Sequence, residues 1–330
     1  MSDRAGFTLA GVGTYEPAAC VTSEALDAEH GRAPGTSLRL GISERRYAGA
    51  DETSSFMAAE AARRAVADAG WEAGQIDALI GACGVMEQAI PGTAPLVQRR
   101  LGLGESGIPA FDVNATCLSF LPALDHALAG MAMKGWRRVL IFAADIASAA
   151  LDHGDLEASA IFGDGAAAIA LEAGGPSRIL ASRLETYGDH SDLCRLEAGG
   201  TRLRPNEDLP GFLAGSRFRM EGIALFKVTA RRFPPFMARL FADSGLGPDD
   251  LDCVIPHQAS APALAHLARA LGGDPARIVN VFATLGNRIA SSLPHGLAVA
   301  RRQGRLAPGS ASLLVGSSAG VSLGGAVIRW

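Results

Sequence analysis

"IPAFDVNATCLSFLPALDHALAGMAMK", residues 108–134, is the stretch on which the fold turns. Ile108 to Val113 is a short, mostly apolar run of the kind a buried strand needs, and from Leu118 onward the period changes. Leu121, Leu124, Leu128 and Met131 recur at helical spacing and form one apolar stripe, with Pro122 early enough for a first turn to tolerate it. A strand therefore passes into a helix over Leu118 to Lys134, and Cys117 stands at the junction.

The same succession continues on both sides. "TLAGVG" (8–13), "IDALIGACGV" (76–85), "RRVLIFAAD" (137–145) and "SAIFGDGAAAIAL" (159–171) read as strands, with helices over Ser54 to Ala69 and Thr93 to Leu101. The second half repeats the plan with "RILASRLE" (178–185), a helix over Gly222 to Ser244, "LDCVIPHQAS" (251–260), a helix over Pro262 to Leu271, "RIVNVFATLGN" (277–287), a helix over Ser292 to Gln303, and "SASLLVGSSAGVSLGGAVIRW" (310–330). Alternation of this kind implies α/β organisation with parallel βαβ units. Both halves close on a strand, a Gly/Ser-rich turn and an Ala/Val/Ile strand, which points to a duplication. The predicted boundary lies near Gly174 to Pro176, giving an N-terminal half over 1–174 and a C-terminal half over 175–330.

Composition sets the class. The 330 residues carry 48% hydrophobic and 19% charged side chains with 40 glycines, as a folded chain with many tight turns requires. The net charge of −4 is spread without blocks, which recommends neither nucleic acid nor an anionic membrane as a partner. The start, "MSDRAGFTLAG", lacks the succession of a secretory signal, so a cytoplasmic chain is expected. The charge-free run from Ala307 to Ile328 is broken by glycines and serines and reads as two strands and a turn, not a membrane span. The five cysteines, at 20, 83, 117, 194 and 253, have no disulfide or zinc spacing and are expected to be free thiols, with no metal site.

Three polar residues share one kind of place: Cys117 after "FDVNAT", His257 after "CVIP" and Asn287 after "FATLG" each follow a predicted strand and precede a helix. Parallel strands bring such positions to a common crevice. A helix N-terminus favours thiolate at Cys117, and a histidine with an asparagine can activate it or polarise what it attacks. Each residue alone has a structural explanation, core packing for the cysteine, a helix cap for His257 and a turn beside Gly286 for Asn287; the combination is what points to chemistry.

Together with these three, "GVGTYEPAACVTSEAL" (11–26), "GISERR" (41–46), "NATCLSF" (114–120), "FGDGAAAIAL" (162–171), "PHQAS" (256–260), "GNRIASSLP" (286–294) and "GGAVIRW" (324–330) make the chain resemble the β-ketoacyl-acyl-carrier-protein synthase III branch of the thiolase superfamily along nearly its whole length. The resemblance implies a five-layered αβαβα thiolase fold of two similar halves, a homodimer, and a Claisen condensing enzyme without cofactor or metal. By it, Cys117 takes an acyl group as a thioester, His257 and Asn287 promote decarboxylation of a malonyl thioester, and the backbone N–H groups of Cys117 and Ala319 form the oxyanion hole. The substrates it implies are acyl thioesters on CoA or on the phosphopantetheine of acyl carrier protein, in fatty-acid or polyketide-like biosynthesis. A neutral histidine and an asparagine amide can both donate to an enolate oxygen, which suits that step. An acyltransferase to oxygen or nitrogen, a thioester hydrolase and a non-catalytic scaffold are the alternatives.

The departures concern the donor. Where the family stacks a tryptophan on the CoA adenine this chain has Gly35, and where it places an arginine before "FGDG" this chain has Leu156, although Arg39 keeps a basic position. Ile223 replaces the asparagine after "MxG", Pro262 the arginine of "HQANLR", and "SSAGV" (317–321) the usual glycine triplet and aromatic residue. Ile90 stands where a bulky residue closes the partner's acyl pocket, so a chain longer than acetyl is expected. The resemblance points to Lys227, Arg231, Arg232 and Arg269 as the basic surface for an acidic carrier protein; Lys227 and Arg231, four apart, share a helix face.

Overall fold

A computed structural model of the chain describes residues 6–330; the first five residues, part of the start read above as non-secretory, lie outside it. The N-terminal half runs β1 (Phe7–Tyr15), β2 (Ala19–Thr22), α1 (Ser23–Glu29), β3 (Glu44–Tyr47), α2 (Ser54–Asp68), β4 (Ala78–Gly81), α3 (Thr93–Arg100), β5 (Ala110–Asp112), α4 (Phe120–Lys134), β6 (Arg138–Asp145), α5 (Leu156–Ser159) and β7 (Gly165–Ala173). The C-terminal half runs β8 (Arg178–Thr186), β9 (Cys194–Arg195), α6 (Leu209–Gly215), β10 (Arg219–Met220), α7 (Gly222–Ser244), β11 (Cys253–Pro256), α8 (Ala261–Ala270), α9 (Phe282–Leu285), α10 (Ser292–Arg302), β12 (Ala311–Ser318) and β13 (Ser322–Arg329).

Two main sheets form, in the orders β1-β7-β6-β4-β5 and β8-β13-β12-β11. Their sequences of strands correspond one to one, except that the second sheet has no counterpart of β5. Both are mixed rather than parallel: β6 pairs parallel with β4 but antiparallel with β7, and β12 pairs parallel with β11 but antiparallel with β13. The missing fifth strand is the expected strand at 277–287. It survives as a single parallel bridge, Val254 to Ile278. Gln258 replaces the ladder, donating from Nε2 to the Val279 carbonyl at 3.0 Å and accepting from the Val281 N–H at 3.0 Å. Asn280 Oδ1 then takes the Phe282 N–H at 3.1 Å and turns the chain into α9. The strand expected over 159–171 starts only at Gly165, because Asp155 accepts from the Ala158 N–H at 3.2 Å and begins α5.

Five layers follow from where the apolar faces go. Alanines of α2 (58, 61, 62 and 65) pack with Val97 of α3 against Leu79, Leu140 and Phe142 on one face of the first sheet. On its other face, Leu121 and Leu124 of α4 and Leu293 and Leu297 of α10 fill the space between the two sheets, meeting Ile80, Ile141, Ile255, Leu314 and Ile328. Phe236 and Leu240 of α7 and Leu267 of α8 cover the far face of the second sheet, over Val254, Leu313 and Val327. Burial of each large apolar side chain contributes about 1.5–3 kcal/mol, so the two central helices are held by both sheets at once. This is the thiolase fold. Gly11 and Gly13 show how closely β1 meets α2: a Cβ at either would come within 2.1 Å of a helix carbonyl. Among the described residues no helix is long and apolar enough to cross a membrane.

Candidate active site

The helix expected from Leu118 begins at Phe120. Residues 115–119 form tight turns instead, with Thr116 at φ 50, and Ser119 Oγ takes the Ala115 N–H at 2.9 Å while Cys83 O lies 3.3 Å from the same hydroxyl. Cys117 is thereby lifted off the sheet into a cavity of about 1710 Å³ whose wall includes His257, Asn287 and Ala319. The volume exceeds the roughly 300–1,000 Å³ of ordinary small-molecule pockets.

His257 follows β11 directly. Its N–H donates to Val315 O at 2.8 Å, and Gly316 makes room for it, since a Cβ there would lie 2.6 Å from the His257 Cβ. Asn287 follows α9 rather than a strand. Its own N–H donates to Ile161 O at 2.7 Å, its Oδ1 accepts from the Ile289 N–H at 2.9 Å, and its Nδ2 reaches Ala259 O at 3.3 Å. The side-chain amide is thus oriented by its own half, while the backbone beneath it is tied to the first half through Ile161. Ala319 lies in the turn between β12 and β13, with Thr116 Oγ1 donating to its carbonyl at 3.3 Å.

Electrostatics correct one expectation. Burial pushes the Cys117 thiol well above its ordinary pKa, with Cys194 and Asp145 adding to the rise, while the backbone N–H groups of Cys117 and Ala319 pull it down. Desolvation outweighs the pull of the nearby helix start, so the resting group is a thiol and not the thiolate that position suggested. Those two N–H groups are the ones expected to serve as oxyanion donors, and an acyl oxygen on Cys117 would meet them. His257 is buried, and burial lowers its pKa to about 4, so it is neutral at pH 7. Its Nδ1 has no partner.

Two residues at this site carry almost no signal in a linear reading. Cys194, on β9, lines the same cavity, and burial raises its pKa to about 11. Asp145, the last residue of β6, is fully buried. Its Oδ1 accepts from the N–H groups of Gly84 and Val85, both at 2.8 Å, and its Oδ2 from those of Ala290 at 3.0 Å and Ser291 at 3.2 Å. One carboxylate thus ties the acyl-pocket loop of the first half to the turn after Asn287 in the second. Burial raises its pKa to about 7 against the four donors. Only its place at a strand end hinted at this.

The mouth is less uniform. Ile90 lines the cavity at an open end, 87% exposed. Lys227 and Arg231 are exposed on α7, as is Arg269 on α8, and Lys227 reaches the cavity wall. Arg232 departs from the expectation of a free docking cation: its guanidinium lies 3.8 Å from the centre of the Tyr187 ring and braces α7. Arg39 is exposed at the rim and donates to Thr36 Oγ1 at 3.1 Å. Gly35 has φ +79 with nothing near its Cβ position, so the site of the missing stack is an open left-handed turn. Leu156 starts α5, half-buried. All five cysteines are free, and no group of three metal-binding side chains occurs among the described residues.

Comparison with known proteins now has a geometry to refer to. Residues 111–188 match the model of 3-oxoacyl-[acyl-carrier-protein] synthase III, and residues 241–330 match that of its C-terminal part. The chain is 36% identical over 329 residues to the β-ketoacyl-[acyl-carrier-protein] synthase III of Rhodospirillum rubrum, covering 97% of this chain and 98% of that one. The crystal structure of 3-oxoacyl-(acyl carrier protein) synthase III from Pseudomonas aeruginosa superposes with a TM-score of 0.87 at 32% identity, over 99% of this chain and 98% of that one. OleA of Xanthomonas campestris, solved with lauric acid and lauroyl-CoA, shares the fold, with a TM-score of 0.86 at 21% identity over 99% of this chain and 100% of that one.

Proposed function

The chain belongs to the 3-oxoacyl-[acyl-carrier-protein] synthase III family of condensing enzymes, and from that premise we propose how its own residues carry the reaction. It is an acyltransferase of fatty-acid biosynthesis. Cys117 Sγ attacks the carbonyl of an acyl thioester, the thiol proton leaves with the departing donor thiol, and the acyl group remains on Cys117. A malonyl group on acyl carrier protein then enters. Loss of CO2 leaves the electron pair as an enolate whose oxygen takes hydrogen bonds from neutral His257 and the Asn287 amide, and the enolate carbon attacks the acyl carbonyl. The tetrahedral oxygen is held by the N–H groups of Cys117 and Ala319 until the C–S bond breaks and expels the Cys117 thiolate, which takes a proton from solvent to return the thiol.

The observation that carries this reading is the convergence of a thiol, a neutral imidazole and an oriented amide, from both halves of the chain, on one cavity. An amide at 287 favours carbon–carbon bond formation over transfer to oxygen or nitrogen, which would be better served by a base. The donor is a longer acyl group than acetyl, carried on a phosphopantetheine arm. The wide cavity, the exposed Ile90 and the open turn at Gly35 support that choice. The working form is a cytoplasmic homodimer in which Ile90 closes the partner's acyl pocket, and the product enters fatty-acid or polyketide-like synthesis.

The experiment is a loading series with acetyl-CoA, medium-chain acyl-CoA and acyl carrier protein thioesters, read by intact mass, followed by CO2 release from malonyl carrier protein. A single adduct on Cys117, absent in Cys117→Ala, is expected, and His257→Ala or Asn287→Ala should keep the adduct while losing CO2 release. Fastest loading from acetyl-CoA would reject the donor assignment. Retained CO2 release in both variants would reject the assigned roles.

A further inference from the structure

Away from the cavity, a second group of polar side chains is buried without acceptors. Arg45 is 0% exposed; its Nη2 donates to Ala160 O at 2.7 Å, but Nε and Nη1 have no partner. Arg32 Nη2 donates to His153 O at 2.5 Å and lies 3.4 Å from Ser159 Oγ, while its buried Nη1 is unpartnered. Tyr47 Oη and His153 Nδ1 are buried and unpartnered too. These four residues are neighbours. Arg45 and Tyr47 alternate on β3 and so share one face of it, the Tyr47 and His153 rings are 6.4 Å apart, and His153 stacks on His30 at 4.3 Å. The two arginines feel each other's charge, and each also acts on Tyr47.

Asp27 acts on both arginines through its charge, but its oxygens, like those of Asp164, bond elsewhere. Asp27 accepts from the backbone and hydroxyl of Ser37, and Asp164 from Ala48 and Ser148. No salt bridge to Arg32 or Arg45 occurs among the described residues. Two guanidiniums set against this one carboxylate leave a positive charge uncompensated, which burial makes strongly destabilising, and buried donors are nearly always satisfied. The donor set, a planar fork from each arginine with a phenol and an imidazole, matches a tetrahedral oxyanion that can accept several hydrogen bonds at once.

We propose that Arg32, Arg45, Tyr47 and His153 form a buried site for a free inorganic oxyanion of the phosphate class, which holds β3 against the 153–160 segment. Arg45 has no exposed surface, so the ligand is the free ion and not the phosphate of a nucleotide. An anion here neutralises the two arginines beneath the segment that carries Leu156 and borders the rim of the cavity.

The test is thermal unfolding of the intact protein in inorganic phosphate titrated against chloride at constant ionic strength, beside Arg32→Gln and Tyr47→Phe. Phosphate stabilises proteins generally, but that effect grows steadily with concentration and does not depend on one side chain. The site predicts saturation at millimolar phosphate with a rise in Tm of roughly 2–4 °C, lost in Arg32→Gln and reduced in Tyr47→Phe. Tyr47→Phe keeps the ring and its packing, so it decides the matter if Arg32→Gln does not fold. A steady, unsaturating rise, the same response in a folded variant, or a response to 3′,5′-ADP without one to phosphate would each overturn the proposal.

Discussion

Replacing Asp145 by asparagine probes the joint between the two halves of the site. Asp145 gives one oxygen to each half: Oδ1 to Gly84 and Val85, Oδ2 to Ala290 and Ser291. Asparagine keeps the shape but has one carbonyl oxygen, so its NH2 faces either Gly84 and Val85 or Ala290 and Ser291, and of these four N–H groups only that of Ser291 has a second acceptor, Arg288 O at 3.1 Å. Each buried donor left unsatisfied costs about 1–3 kcal/mol, so the less costly orientation, with the NH2 toward Ala290 and Ser291, leaves one N–H without an acceptor and implies a loss of about 1–3 kcal/mol. Relief from burying a charge offsets part of this, which places the expected loss in urea unfolding near the lower end, ~1–2 kcal/mol. Function should separate from stability. The turn at Ala290 and Ser291 follows Asn287 by only a few residues, so condensation should fall more than acylation in protein that is fully folded. Single-turnover loading of Cys117 and CO2 release from malonyl carrier protein, measured below the unfolding transition, give the two rates. No measurable loss of stability, or equal losses in both half-reactions, would refute the reasoning.

Other outcomes follow from the same geometry. Alkylation of Cys117 by iodoacetamide should rise about tenfold per pH unit from pH 6.5 to 9 without levelling, because burial holds the thiol above its ordinary value of 9.0 and leaves under ~1% thiolate at pH 7; an inflection below pH 8.5 would contradict it. Decarboxylation by pre-acylated enzyme should stay level from pH 8 to pH 5, since His257 is uncharged above about 4. Its folded pKa lies below the unfolded value of 6.5, so the native state binds fewer protons and stability should fall as pH drops from 6.5 through 4; His295, lowered by burial, adds in the same sense. An activity loss centred near pH 6.5 in protein still folded would count against a neutral His257. Reversing charge at Lys227 and Arg231 should raise KM for malonyl carrier protein, without a matching rise for malonyl-pantetheine; equal shifts would show that this face of α7 does not receive the carrier.

What the linear sequence determined is what repeats at short range. The switch from apolar run to helical stripe after Val113, the return of the same plan after residue 176, and the motifs around Cys117, His257 and Asn287 define the fold and its family, because periodicity and spacing are local properties of the chain. The tertiary structure decided what depends on distant neighbours. Residues 277–281 have the composition of a strand but lose the ladder to the amide of Gln258, about twenty residues earlier. Cys117 has the local position of a thiolate but the surroundings of a buried thiol, since desolvation is set by everything packed around it. Asp145 looks like any strand-end aspartate until four N–H groups from opposite halves converge on it. Arg45 stands in "GISERR" with nothing in the linear sequence to mark it as buried, and ends with no exposed area. Burial, and the partners a buried group must find, arise only when the two sheets close on their shared helices.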